Sequence, residues 1–483
     1  MLNDVLLIQP PLLHTSLDAD TIQEAYWKVL KRKVYSIISA MPDGLQLKEH
    51  KDNFTGFIEP NIGLFYVAGS LRKAGFYLNY LDFHILDSEI RLRENRVINQ
   101  RDIENRLRDY SCDIVMISPL TVNFHWAVKI SEMCKRINPK SITIIGGVHA
   151  SFEYKNILKK HKSVDYVIIG EGELSSVQLL QNLSVGNDID SINGIAYRQN
   201  GSIRFTGKPL PIEDLDSLSY PDYSLIDKKY IRNIIMRVIT SRGCSNRCNF
   251  CVPSSFFSNL RFRDYIKVVD ELEFLKDEYG IKMFMIGDLN FLSDYDYARK
   301  FCQEIIKRKL NLFWMCQSRV DLISSEIVAL MKEAGCIMMC LGMESGNQEI
   351  LNNSNKNITL QRSMDACKVV KNAGLYLFTF WVFGLPGETH ESAFQTIQLL
   401  RKMIDNNLID YTHCTVFTPY PGTDIYNDPD KYGINIISDD FSEYWLGCDY
   451  LGADLPVVHT GSLTNYEIYG YWQLAMAVVA GNL

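Results

Sequence analysis

No apolar run in the 483-residue sequence approaches the roughly 18 residues that a membrane-spanning helix needs, so no such helix is expected. The start, Met1-Leu2-Asn3-Asp4-Val5-Leu6, lacks a basic segment ahead of an apolar one. It is read as a strand rather than a secretory signal, and the chain is expected in the cytoplasm without membrane attachment. Basic charge is short: 50 Lys and Arg stand against 57 Asp and Glu, a net −7. Phosphate backbones are bound by basic faces, so a nucleic acid is not the expected partner. Internal repeats and low-complexity tracts are missing. With 47% hydrophobic and 22% charged residues, this excludes collagen, coiled coil and global disorder. At about 100–200 residues per domain, the length suggests two or three domains.

Cysteine is plentiful, at 12 residues. Disulfide scaffolds belong to small secreted domains, so these thiols should stay reduced. Cys112, Cys134, Cys302, Cys316, Cys367, Cys414 and Cys448 are scattered and read as small buried hydrophobes. Cys336 and Cys340 lie in an apolar, strand-like stretch and are read as core. Cys244, Cys248 and Cys251 are set apart by their spacing.

From residue 4 to about 182, short β-rich runs alternate with helical periodicity. The expected strands are Asp4–Gln9, Leu78–Phe83, Asp113–Ser118, Ser141–Ile145 and Asp165–Ile169, with amphipathic stretches such as Leu64–Lys73 and Asn123–Arg136 between them. This alternation predicts a doubly wound, flavodoxin-like Rossmann domain over residues 1–184, binding its ligand beyond the carboxyl ends of the strands. Three loops fall there: Ser118-Pro119-Leu120-Thr121, Gly146-Gly147-Val148-His149 and Gly170-Glu171-Gly172-Glu173. Their glycines are expected to let a large ligand approach the backbone. The connection from Pro11 to Asn61, with Tyr26, Trp27 and Tyr35, is far longer than a turn requires and reads as a lid or a surface elaboration.

Residues 185–233 are expected to link two domains and to hold a hairpin turning at Asn200-Gly201. A second series then spans 234–423. Its strands are expected near Ile234–Ser241, Lys282–Gly287, Asn311–Cys316, Ile337–Gly342, Tyr376–Phe383 and Asp410–Phe417, alternating with helices such as Tyr265–Glu278, Ser324–Glu333 and Glu391–Ile404. Six such units fall short of the eight of a closed TIM barrel, so a partial (β/α)6 barrel is predicted, with its chemistry at the carboxyl ends. Residues 424–483 are rich in Tyr and Trp and are expected to cap it, with Tyr420, Tyr444 and Trp445 near the opening.

The three distinctive cysteines follow the first strand of this barrel in Thr240-Ser-Arg-Gly-Cys244-Ser-Asn-Arg-Cys248-Asn-Phe-Cys251. Three thiolates in a Cys-x3-Cys-x2-Cys loop can hold three irons of a 4Fe-4S cluster and leave the fourth without a protein ligand. Zinc would ask for four closed ligands or a His in the set, and no His lies within several tens of residues. An electron-transfer module would need a fourth cluster ligand.

At this spacing the chain resembles the radical S-adenosylmethionine (SAM) superfamily. The resemblance implies that SAM chelates the open iron and is cleaved by one electron to a 5′-deoxyadenosyl radical, with a flavodoxin- or ferredoxin-type electron donor. Phe250 stands at the family's aromatic position before the third cysteine. Met285-Ile-Gly-Asp288-Leu-Asn-Phe291 looks like the acidic motif after the second strand, with Leu289 in place of a second acid. Ser318-Arg319-Val-Asp321 and Gly342-Met-Glu344-Ser345-Gly346 match segments lining the SAM pocket, and Phe383-Gly384-Leu-Pro386-Gly387-Glu388 resembles the adenine-side turn. Each has a plainer reading: Arg319 can pair with Asp321, Glu344 can cap a helix, and Gly384-Pro386 can be only a turn.

The N-terminal domain resembles the cobalamin-binding module of class B radical SAM methyltransferases and their relatives, and the two resemblances together cover about residues 1–425. Pro10-Pro11, Gly147-Val-His149 and Ile169-Gly170-Glu171-Gly172-Glu173 carry the match, and Ser118, Thr121 and Gly146 in the same strand-end loops are expected to bind the cofactor with them. The family's axial-ligand motif is missing from the first loop. Asp82-Phe83-His84 lacks its glycine and is read as coincidence, and His149 as a hydrogen-bonding residue, so His-off cobalamin is expected. The resemblance implies hydrogen abstraction from an unactivated carbon and methyl transfer from methylcobalamin to a small molecule or peptide. A cyclisation or rearrangement using the same cofactors is the alternative.

Overall fold

The computed structural model describes residues 4–11, 61–94, 96–110, 113–231, 235–447 and 455–481. Residues 12–60, expected as a lid, lie outside the described residues, as do Cys112, Cys448 and the Trp445 side chain. The chain divides between Ile235 and Met236 into two compact units.

The first unit is built on a seven-stranded sheet. Its strands are β1 (Asp4–Gln9), β2 (Tyr77–Asp82), β3 (Ile114–Ile117), β4 (Ile142–Ile145), β5 (Tyr166–Ile168), β6 (Ile195–Gln199) and β7 (Ser202–Phe205), in the order β2-β1-β3-β4-β5-β6-β7. β1 to β5 run parallel. β1 and β3 are apolar and almost wholly buried, as central parallel strands covered on both faces must be. The order reverses between β1 and β3, which opens a crevice at their carboxyl ends. The hairpin expected in the 185–233 connection forms, but it does not stand apart: β6 adds antiparallel to β5 and β7 to β6, making the sheet mixed.

The second unit holds six parallel strands: β8 (Met236–Val238), then, beyond the short antiparallel pair β9 (Ser241–Arg242) and β10 (Arg261–Phe262), β11 (Met283–Ile286), β12 (Phe313–Ser318), β13 (Cys336–Glu344), β14 (Tyr376–Phe383) and β15 (Tyr411–Val416). Their order is β15-β14-β13-β12-β11-β8, and the two end strands do not pair, so the barrel is open as expected. Helices between the strands begin on caps legible in the sequence: Asp264, Asp294, Ser324, Thr359 and Thr389 each accept a hydrogen bond from their own first turn.

The C-terminal segment pairs β16 (Ile434–Ile436) with β17 (Val458–Thr460) and ends in the helix Asn465–Val479. That helix covers the edge strand β15, with Trp472 Nε1 donating to the Cys414 carbonyl at 2.8 Å. Covering an edge removes a template for unwanted pairing. Tyr444, expected to face the opening, is 1% exposed and donates to the Ser438 carbonyl, so it belongs to the core of this segment. Among the described residues no helix is long and apolar enough to cross a membrane.

Candidate functional site

β8 leads directly into the cysteine loop, and the β9–β10 ladder clasps the loop at its base. Gly243 is left-handed at φ +94°, and a side chain there would collide with the Asn259 carbonyl, so only glycine turns the chain into Cys244. Cys244, Cys248 and Cys251 are partly exposed, whereas every other described cysteine is buried. Burial pushes the thiols of Cys340, Cys367 and Cys414 up to about 12, which fits inert core positions.

Within the loop, Asn246 N–H points at Cys244 Sγ from 3.5 Å, and Arg319 Nη1 lies 3.8 Å from Cys248 Sγ. Burial raises the Cys248 thiol, against which Lys356 and Arg319 pull; burial also lifts Cys251, to about 11. The charge of Cys244 bears on Cys248, and those of Cys244 and Cys248 on Cys251, as befits thiols of one short loop. Among the described residues no three His, Cys, Asp or Glu side chains gather closely enough for a single metal ion. The donor chemistry, three part-exposed thiols on one Cys-x3-Cys-x2-Cys loop, fits a 4Fe-4S cluster with one corner not held by these cysteines.

Around Cys248 the structure brings together residues from three strand ends. Arg319, after β12, reaches Asp321 through Nε at 2.9 Å, as the plainer reading anticipates, and also donates through Nη2 to the Lys356 carbonyl at 2.6 Å. Glu344 closes β13 at φ +61°, beside a bulge, and pairs with Lys356 Nζ at 2.6 Å. Lys356 was not singled out from the sequence. Neither was Asn290, whose Oδ1 receives Ser318 Oγ at 3.0 Å and the Arg319 N–H at 3.3 Å, and whose buried Nδ2 has no partner.

Other expected SAM contacts are engaged within the protein. Asp288 is buried, and its carboxylate receives the N–H and hydroxyl groups of both Thr240 and Ser241. It fixes the entry to the cysteine loop. Its own pKa is raised by burial, with these donors pulling it back down. Ser345 is fully buried, its hydroxyl 3.2 Å from that of Thr396 in the helix His390–Asp405. Phe250 is half-buried and Pro386 buried. Gly384, at φ +85°, donates to Glu388 Oε2 and lies under Ile468 of the C-terminal helix.

Glu388 is wholly buried, its Oε1 lacks a partner, and burial holds its carboxyl up at about 8. An unfolded chain releases that proton near 4.5, so between these values the folded state carries one proton more. Stability must therefore fall as pH rises through that window, on the order of a few kcal/mol in all. Glu388→Gln cannot ionise and is expected to gain melting temperature over the parent at pH 8 while matching it near pH 4.5. Parallel melting curves across that range would refute this.

In the first unit, the crevice between β1 and β3 is stitched by amides. Asn123 receives the Leu120 N–H and donates to the Pro10 carbonyl, and Asn61 donates to Ser118 Oγ while its own N–H meets Gln9 Oε1. Gly147 sits at φ +93°, where a Cβ would come 3.1 Å from Ser118 Oγ. The loops after β3 and β4 thus meet backbone to side chain, and Leu120 is exposed at this rim. Glycine backbone at the ends of β3 and β4, with the Asn61 and Asn123 amides beside it and Leu120 exposed, is compatible with a broad corrin with amide arms. His149 is buried, packs against Phe124 with the ring planes tilted by 40°, and has Nδ1 3.2 Å from Thr121 Oγ1. Burial drives its pKa down to about 3, so it is a neutral hydrogen-bonding residue. Asp82 receives the N–H groups of His84 and Ile85, a helix cap, so the Asp82-Phe83-His84 lookalike has a structural cause.

In the loop after β5, a Cβ on Gly170 would meet the Pro209 ring at 2.8 Å, so on that side the glycine makes room for a contact within the protein. Glu171 Oε2 receives the Ile212 N–H, and Glu173 is buried in the first turn of the helix Gly172–Val185. This loop is held by the segment after the hairpin, and Gly146 makes only ordinary contact with Ile168.

Two family models match the chain: the B12 binding domain over residues 55–180 and the radical SAM superfamily over residues 238–400. An uncharacterized methyltransferase of Pyrococcus horikoshii is 32% identical over 399 residues, covering 82% of this chain and 83% of that protein. The anaerobic magnesium-protoporphyrin IX monomethyl ester cyclase of Rubrivivax gelatinosus is 29% identical, covering 78% of this chain and 67% of its own length. Among solved structures, the radical SAM methyltransferase TsrM of Kitasatospora setae, with cobalamin and a [4Fe-4S] cluster bound, shares the fold at TM-score 0.67. It is 17% identical, over 99% of this chain and 91% of that one.

Proposed function

Because the chain belongs to the radical SAM enzymes that carry a B12-binding domain, we propose that it is a cobalamin-dependent methyltransferase acting on an unactivated carbon of a small molecule or peptide. The observation that carries this reading is the loop of three part-exposed thiols, with Arg319 and the Glu344–Lys356 pair beside Cys248, on a chain whose first unit matches the B12 binding domain. When bound, the cluster and cobalamin supply the electron and the methyl group, respectively. The protein's residues hold and orient. Cys244, Cys248 and Cys251 would hold the iron, and Asp288 keeps the loop's entry in place. Glu344 and Arg319 offer a carboxylate and a guanidinium at the rim where SAM's charged amino-acid end would lie. His149 is held beside Phe124 and Thr121 as a loop residue, cobalamin would sit His-off, and a flavodoxin- or ferredoxin-type donor would deliver the electron.

Anaerobic reaction of the reconstituted enzyme with labelled SAM and source-cell extract is expected to give S-adenosylhomocysteine and 5′-deoxyadenosine in comparable amounts, with one methyl added to the product. The likeness to the Rubrivivax cyclase favours a second reading, oxidative ring closure. It would yield 5′-deoxyadenosine without S-adenosylhomocysteine and without a gain in mass.

A further inference from the structure

We propose that Lys356 is a positioning residue for SAM cleavage, joining the carboxylate of Glu344 to the cation over Cys248. It lies in Asn352-Asn353-Ser354-Asn355-Lys356-Asn357, a polar run that ends the short helix Gln348–Asn353 and continues beyond it, yet it is only 6% exposed. Its two ends do different work. Nζ is 2.6 Å from Glu344 Oε1, and its carbonyl receives Arg319 Nη2 at 2.6 Å; Arg319 Nη1 in turn lies 3.8 Å from Cys248 Sγ. The same run grips the cysteine loop. Asn249 Nδ2 donates to the Asn353 carbonyl at 2.7 Å, and Asn355 Nδ2 donates to the Arg247 carbonyl at 2.5 Å.

Space has been left for this arrangement. A Cβ on Gly342 would come 2.7 Å from Lys356 Nζ and would collide with Glu344 Oε1, so the glycine of the β13 bulge makes room for the ion pair. Glu344 holds a left-handed backbone that a non-glycine residue adopts only when its surroundings impose it, and the ion pair is part of that imposition. A buried carboxylate deprived of its cation is left uncompensated, so it must shift or take up a proton. In either case it no longer presents the same group to SAM.

The inference rests on SAM binding at this loop but not on methyl transfer, and its readout needs no substrate. Lys356→Met, which keeps the carbonyl that holds Arg319, is expected to retain the parent's iron content and resting spectrum. The SAM concentration giving half of the SAM-induced change in the electron paramagnetic resonance spectrum of the reduced cluster should rise about tenfold or more. In the Glu344→Gln background, Lys356→Met should add little, because both act through one pair. An unchanged half-saturation in the single variant, or fully additive losses in the double, would overturn the proposal. Should Lys356→Met fail to hold iron, the double variant decides, since it removes both buried charges together. Recovery of iron there supports the pairing, and continued loss where Glu344→Gln alone holds iron would show that Lys356 serves the loop directly. If the spectral response follows expectation while no methylated product forms, only the methyltransferase reading fails.

Discussion

Cys248→Ala protein, reconstituted anaerobically, is expected to lose reductive SAM cleavage on the order of a thousandfold or more, a barrier increase of at least about 4 kcal/mol. Its iron content should fall with the activity. Cys248 is the thiol on which the site converges: Arg319 lies against its sulfur, and Lys356 and Glu344 act on its charge. Alanine offers no ligand, and none of the other described cysteines can replace it, because all outside the loop are buried. Cys340→Ala is the matched control. That thiol sits in β13, pushed up to about 12 by burial, and its loss should cost some stability while leaving iron and SAM cleavage intact. Iron content and 5′-deoxyadenosine formation measured on both variants check the contrast. Equal effects would mean that the loop cysteines are not the cluster ligands.

The contrast also explains why the cysteine loop was legible in the sequence when much around it was not. Three cysteines at fixed short spacing after a strand form a local pattern, and local patterns survive in one dimension. The strands and capped helices were readable for the same reason, since alternation and cap residues are properties of neighbours in sequence. Lys356 is the opposite case. It stands 12 residues beyond Glu344 in a run of asparagines that reads as a solvated loop, and only the return of that loop to the barrel rim buries it. Asn355 and Asn357 are left-handed, a conformation asparagine tolerates, and this lets the run turn back. Gly170 is ambiguous in the sequence for a related reason. Glycine after a strand fits both a ligand approach and a close contact, and the Pro209 ring that makes the contact lies 39 residues away. The hairpin after residue 194 was visible from its Asn200-Gly201 turn, but its partner was not, because a turn fixes the pairing within a hairpin and says nothing of the strand beside it.

Asp288→Ala is expected to be the most destabilising single change at the site, lowering stability by about 3–5 kcal/mol and the melting temperature of the second unit by roughly 10 °C. The carboxylate closes two backbone N–H groups, Thr240 at 2.7 Å and Ser241 at 3.1 Å, together with both hydroxyls. Thr240 is 0% exposed and Ser241 4%, so water cannot readily replace the lost acceptor. Unpaired N–H groups in such a place cost far more than the net worth of an ordinary hydrogen bond. The effect also reaches the chemistry. Ser241 pairs with Phe262 in the ladder that clasps the cysteine loop, so loosening it should lower iron retention even in the fraction that stays folded. Asp288→Asn separates the two consequences. Its amide oxygen can still receive both N–H groups, and the hydroxyls of Thr240 and Ser241 can rotate to accept from its amide nitrogen. This variant should therefore recover most of the stability and the iron. If Asp288 instead bound SAM directly, the asparagine variant would stay folded and iron-loaded yet lose the spectral response to SAM, and the structural role assigned to this carboxylate would be wrong.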